Sequence, residues 1–233
     1  MLSITERAWL PLSTKHLSQW DNFPFTVQED MDIKVPKDQN ILRMQIMGPN
    51  GILCIPDEIQ WANSLLEEAF YFQNMMFPRH PYIYFTCRTG SVRHSSTDEW
   101  HYDGFSMRYN HLPEQNYIWT NRIGTDWVRS GVQIPKDFDP MVHNLNHEAA
   151  YQTIHHDKYR TKPNALYVID PYILHKTPDD AMDLDDRAFV RISFTPIPIN
   201  DVNNTPNPDP RLNMPTDGVA FRDSLETYRK VKH

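Results

Sequence analysis

AFVRISF, residues 188–194, sets one charged side chain inside an otherwise apolar run of strand length. Successive side chains of an extended strand point to opposite faces, so Arg191 and Ser193 share a face while Val190 and Ile192 take the other. A guanidinium held among Phe189, Val190, Ile192 and Phe194 must find an anion, and its planar fork suits a carboxylate best. The Ser193 hydroxyl stands where it can give the same carboxylate another hydrogen bond.

Five further short runs rich in β-branched and aromatic residues lie upstream: YIYFTC (82–87), EWHYDGFSM (99–107), NYIWTN (116–121), ALYVID (165–170) and YILHKT (172–177). Broken by Pro, Gly, Asn and Asp, they predict an antiparallel sandwich or barrel. DEIQWANSLLEEAFYFQNMM (57–76) places Ile59, Leu65, Leu66, Ala69, Phe70 and Phe72 near helical spacing behind an acidic start. That pattern predicts an amphipathic helix whose aromatics belong to the core. Residues 1–40 are mixed and proline-punctuated, 195–218 read as an irregular tail crossing the surface, and VAFRDSLETYRK (219–230) reads as a closing helix. The expected class is mainly β with flanking helices, in a single domain over residues 1–233 whose β core spans about 80–195.

The net charge of -7, with no run of lysine or arginine, lacks the basic footprint of a protein held by phosphate backbones, so nucleic acid is disfavoured as a partner. No stretch approaches the length of a membrane span, and the first twenty residues lack a basic head followed by an apolar run. A soluble, cytoplasmic protein is expected. Cys54 and Cys87 stand too far from any second cysteine for a CxxC site and read as reduced thiols.

In EWHYDGFSM the alternation brings His101 and Asp103 to one face of a strand. A neutral imidazole beside a carboxylate offers two of the three ligands of a facial triad, although a lone HxD is also common in half-exposed polar strands. ALYVIDPYILHKTP then adds His175 in apolar surroundings, where a histidine needs a reason.

The order HxD, long gap, His, then RxS resembles the iron(II)- and 2-oxoglutarate-dependent oxygenases, whose fold is a double-stranded β-helix of the jelly-roll or cupin-like kind. The resemblance spans about residues 80 to 195. It implies His101, Asp103 and His175 as iron ligands, with Arg191 and Ser193 on the distal carboxylate of 2-oxoglutarate. IGTDWVRSG (123–131) is similar to the taurine-dioxygenase and clavaminate-synthase-like branch, in which a threonine touches the cosubstrate; here that implies Thr125. Three protein ligands leave three positions on an octahedral ion, two for the keto-acid oxygens of 2-oxoglutarate and one for O2. The implied reaction is hydroxylation of a small-molecule substrate with release of succinate and CO2. Prolyl-hydroxylase-like members carry lysine where this chain has Arg191, and halogenating members lack the aspartate that Asp103 supplies. Two alternatives stand beside this reading: a cupin-like barrel that binds a metal or small ligand without this catalysis, and the same chemistry on a peptide or nucleobase.

Other chemistry-bearing stretches carry weaker signals. HNLNHEAAYQTIHHDK (143–158) starts an HExxH pattern at His147 but has Tyr151 at the second ligand position, and reads as a loop-and-helix insertion that covers the site mouth. PDDAMDLDDR (178–187) lacks the spacing and glycine of a calcium loop and reads as a solvated turn. Arg88, Arg93, Arg108, Arg122 and Arg129 read mostly as solvent-facing charges, with one or two available to an anionic substrate.

Overall fold

In chain order the elements are β1 (Trp9–Ser13), β2 (Phe25–Gln28), β3 (Asn40–Met47), a 3-10 turn (Asp57–Ala62), α1 (Asn63–Met76), β4 (Tyr82–Thr89), β5 (Gln115–Thr120), β6 (Asp126–Val128), β7 (Gln133–Pro135), β8 (Lys158–Arg160), β9 (Leu166–Ile169), β10 (Leu174–Lys176) and β11 (Ala188–Thr195). The structure is a computed structural model that describes residues 9–13, 24–77, 79–91, 100–101, 114–128, 133–135, 157–169, 173–181, 183–195, 198–199 and 201–213. Its described part is mainly β. Six strands form an antiparallel sheet in the order β2-β9-β5-β11-β4-β3, three form a smaller antiparallel sheet in the order β10-β6-β8, and β1 pairs with β7.

β11 lies inside the large sheet, paired along its full length with β4 and over most of it with β5. Its alternation sorts the sheet into two environments. Ala188, Val190, Ile192 and Phe194 join the main core with Leu65, Leu66 and Ala69 of α1, and Phe194 meets Phe70 and Tyr117 edge-on. Phe189, Arg191 and Ser193 take the opposite face, where Phe189 packs against a second cluster of Ile118, Ile169 and Ile173. β5 is buried at every position because both its faces are covered: Tyr117 and Trp119 enter the main core while Ile118 belongs to the second cluster.

The predicted helix is present, but its first six residues wind as a 3-10 turn before α1 begins. Local bonds favour that tighter winding: Gln60 Nε2 donates to Asp57 Oδ1 at 2.7 Å and Trp61 Nε1 to the Glu58 carbonyl at 2.9 Å. Five predicted strand runs carry β4, β5, β9, β10 and β11. Of EWHYDGFSM only Trp100 and His101 are described, and His101 forms an isolated antiparallel bridge with His175.

β2 and β3 were not anticipated, and they are the outer strands of the large sheet. In β3 the register against β4 shifts between Ile41 and Met44, with Arg43 in a left-handed conformation at φ 45. The bulge destroys strict two-residue alternation, so Ile41, Met44 and Ile46 are all buried despite their unequal parity. The tail after β11 is irregular, as expected, yet tethered: Thr205 exchanges bonds with the Leu42 backbone, and buried Asn207 donates to the Gln45 carbonyl at 2.9 Å. The expected closing helix (219–230) and most of the histidine-rich insertion (143–156) lie outside the described residues. Cys54 and Cys87 form no disulfide, and burial pushes the Cys87 thiol up to about 12. No helix among the described residues is long and apolar enough to cross a membrane.

Trp119 is fully buried and its indole nitrogen donates to the Met31 carbonyl at 3.1 Å, tying the large sheet to the chain between β2 and β3. Trp119→Ala should lower unfolding free energy by about 3–5 kcal/mol, read as a reduced urea midpoint at unchanged slope.

Candidate functional site

Cα pairing places His101, His175, Trp127 and Tyr159 in one row across the small sheet. Side chains paired across adjacent strands point to the same face. The row becomes four neighbouring rings: the imidazoles have centroids 4.5 Å apart at 53°, and Trp127 stacks on Tyr159 at 4.8 Å. The backbone locks the two histidines in register, with His101 N–H on the His175 carbonyl at 2.9 Å and the reciprocal bond at 3.1 Å. Beside them, Trp100 is approached by Lys158 and Lys176, each with its ammonium 5.8 Å from the ring centre.

His175 is buried, and its Nδ1 lies 2.9 Å from the Ile173 carbonyl. A carbonyl only accepts, so Nδ1 carries the proton and Nε2 presents its lone pair. This outer hydrogen bond fixes the ring of many metal-binding histidines. Two imidazoles bound to one ion at right angles, with metal–nitrogen bonds of about 2.1 Å, hold their ring centres roughly 4.5 Å apart. The observed pair fits that separation. Asp103, the expected third ligand, lies outside the described residues, and among the described residues no three ligand-type side chains come together.

His175 also lines a small, partly open cleft between the two sheets. Ile118, Thr120, Tyr167 and Ile169 supply the large-sheet wall, and Thr125 and Trp127 the wall opposite. The wall is mostly apolar with a few hydroxyls from threonine side chains, which suits an aliphatic group oriented by a few polar contacts.

Thr125 reaches this cleft from the turn between β5 and β6. Its N–H donates to Thr161 Oγ1 at 2.8 Å, and the Thr161 N–H returns a bond to the Thr125 carbonyl at 3.0 Å. The clamp needs a glycine before it, because a Cβ at Gly124 would stand 1.8 Å from the Thr161 carbonyl oxygen.

Arg191 is half-buried on β11, in register with Thr86 on one side and with the cleft residue Ile118 on the other. Ser193 faces the same way, but its hydroxyl donates to Asn116 Oδ1 at 2.6 Å, across the β11–β5 pair. Its proton is therefore committed within the sheet, and serving a carboxylate requires that bond to be exchanged. The structure thus gathers His101, His175 and Thr125 around the small sheet and sets Arg191 one strand from the cleft wall.

The acidic stretch is a solvated turn: Asp179 pairs with Lys176 at 2.6 Å, Asp180 with Arg160 at 2.8 Å, and Asp186 with Arg122. Its last residue breaks the pattern. Arg187 is buried to 3% exposure, its Nε has no hydrogen-bond partner, and no ion pair holds it among the described residues. Sequence reading passed over it as part of the charged turn, although its parity with Phe189, Arg191 and Ser193 was a usable signal. Arg93, Arg108 and Arg129 lie outside the described residues. Compared with known proteins, the chain matches no family model and no curated sequence.

Gly124→Ala should force the Thr125 and Thr161 strands apart, costing about 1–3 kcal/mol. Thermal unfolding checks this, and an unchanged midpoint would contradict the clamp.

Proposed function

We propose that this chain is an iron(II)- and 2-oxoglutarate-dependent oxygenase that hydroxylates a small molecule, built on a double-stranded β-helix whose two sheets share the cleft. The observation that carries the reading is the cross-strand His101–His175 pair, with ring centres 4.5 Å apart, at a cleft that both antiparallel sheets line. A metal-storing or ligand-carrying barrel has no use for a guanidinium on the neighbouring face, and Arg191 supplies one.

In this reading His101, His175 and Asp103 would hold the iron, Arg191 and Ser193 the distal carboxylate of 2-oxoglutarate, with Ser193 exchanging its bond to Asn116, and Thr125 would touch the cosubstrate. When bound, iron(II) supplies the coordination sites and electrons by which O2 is activated as the keto acid leaves as succinate and CO2. The chain's own contribution is positional. The Ile173 carbonyl keeps the His175 proton on Nδ1, so that Nε2 can serve as a ligand. Asn116, by accepting from Ser193, keeps the hydroxyl aligned beside Arg191, and itself donates to Glu114 at 2.9 Å. Ile118, Ile169 and Ile173 shield the reacting end of the substrate from water and fit an aliphatic C–H. Thr120 offers a hydroxyl that orients it.

Titration of 2-oxoglutarate into the anaerobic iron(II) protein should raise the visible charge-transfer band of the chelate. His175→Ala should lose both iron and band. Arg191→Ala should keep iron but weaken 2-oxoglutarate at least ~100-fold, since it removes two charge-assisted bonds of about 1.5–3 kcal/mol each. Arg191→Lys should recover part of that loss, because an ammonium cannot reproduce the bidentate fork. A wild-type protein with no band at millimolar 2-oxoglutarate would reject the oxygenase and favour a ligand-binding barrel.

A further inference from the structure

Arg187 immediately precedes β11 and continues its alternation, on the face of Phe189, Arg191 and Ser193. Its guanidinium lies over the Phe189 ring, Cζ 5.7 Å from the centroid. The ring is its only partner among the described residues, and a quadrupole is weak compensation for a cation taken out of water. Burial holds the group down to about 10, which still leaves it charged at neutral pH. Of the acids in the preceding turn, Asp179, Asp180 and Asp186 are paired with Lys176, Arg160 and Arg122.

The position is nevertheless rigidly built. Asn121 accepts from the Ala188 N–H at 2.6 Å and donates to the Asp186 carbonyl at 2.9 Å, bracketing Arg187, while the Arg187 carbonyl accepts from Gly90 N–H at 2.8 Å. It also adjoins the cleft. Phe189 packs on Ile118, Ile169 and Ile173, which line the cleft, and its strand partner Thr120 lines it too. A buried cation held firmly beside the cleft, with no anion paired to it among the described residues, is organised for an anion that arrives with the ligand.

We propose that the site takes two organic anions at once, the cosubstrate on Arg191 and a substrate that is itself a carboxylate, with its charged end on Arg187. This rests on the oxygenase reading for the first anion. Four residues along a strand separate the two Cα atoms by about 13 Å, so the two guanidiniums start from separate positions along β11. The substrate class is then an aliphatic carboxylate, its chain on the isoleucine wall and its carboxylate anchored at the β11 end.

The probe is butanoate, titrated calorimetrically into anaerobic iron(II) protein saturated with 2-oxoglutarate, with butan-1-ol as the uncharged control. Wild type should bind butanoate and not butan-1-ol, and butanoate should raise its melting temperature. Arg187→Met should melt at or above the wild-type temperature, because it removes an unpaired buried charge. It should bind butanoate at least ~10-fold more weakly, with the 2-oxoglutarate titration unchanged. Arg187→Lys should show an intermediate loss, and it serves alone if the methionine variant fails to fold. The proposal is overturned if Arg187→Met or Arg187→Lys binds butanoate like wild type, if wild type takes butan-1-ol equally well, or if the Arg187 variants lose 2-oxoglutarate instead. The last result would make Arg187 the cosubstrate's arginine. A missing charge-transfer band in wild type counts against the oxygenase reading alone; butanoate is then titrated without 2-oxoglutarate, and equal affinity in wild type and variant overturns the anion site.

Discussion

β11 separates two environments within one strand, and the other elements are arranged around that separation. Its even-numbered side chains are apolar and small enough to lie under α1, while its odd-numbered ones bring an aromatic ring, a guanidinium and a hydroxyl to the opposite face. Burying polar groups in the middle of a sheet is tolerable only if neighbours satisfy them. β5 contributes Asn116, which accepts from Ser193, while Thr86 of β4 stands in register with Arg191 and accepts from the Arg43 backbone at 3.0 Å. A one-residue slip of β11 would place Arg191 against the helix and Ile192 toward the cleft, so register and site are fixed by the same pairing.

Behind the sheet, a second polar group of residues steadies β5. Gln115 Oε1 receives Gln73 Nε2 at 3.1 Å and lies 2.7 Å from His80 Nε2, while Tyr117 donates its hydroxyl to Gln73 Oε1 at 3.0 Å. Since an amide oxygen only accepts, His80 must carry its proton on Nε2. Burial pushes the Tyr117 phenol well above its ordinary range, so it stays a donor at any physiological pH. Helix, strand and the segment entering β4 are thus joined by directional bonds where apolar contact alone would allow sliding.

The legible part of the fold was the part with uninterrupted alternation. β4, β5, β9 and β11 are buried runs of β-branched and aromatic residues, and their pattern survives because no bulge intervenes. β3 was hidden by its bulge at Arg43, and β6 and β8 by having three residues each, too few for any period to emerge. Of the candidate site, His175 was legible because a histidine amid apolar neighbours is anomalous. Arg187 was not, because five acids in the preceding turn made one more charge look ordinary; only the structure distinguishes a buried guanidinium from its exposed neighbours. The committed hydroxyl of Ser193 depends on pairing between distant strands, which a single sequence does not encode in any local pattern.

The cross-strand bond between His101 and His175 bears on how an ion would come and go. The two residues are far apart in the chain, and bringing such ligands together from a disordered state carries a large closure entropy that ordinarily subtracts from affinity. Here two backbone bonds, at 2.9 and 3.1 Å, and the Trp127 strand beside them already meet that entropy in the sheet itself. Any ion bound by the pair would therefore exchange by ligand substitution on a standing template, at rates set by its own coordination chemistry and not by refolding of the polypeptide.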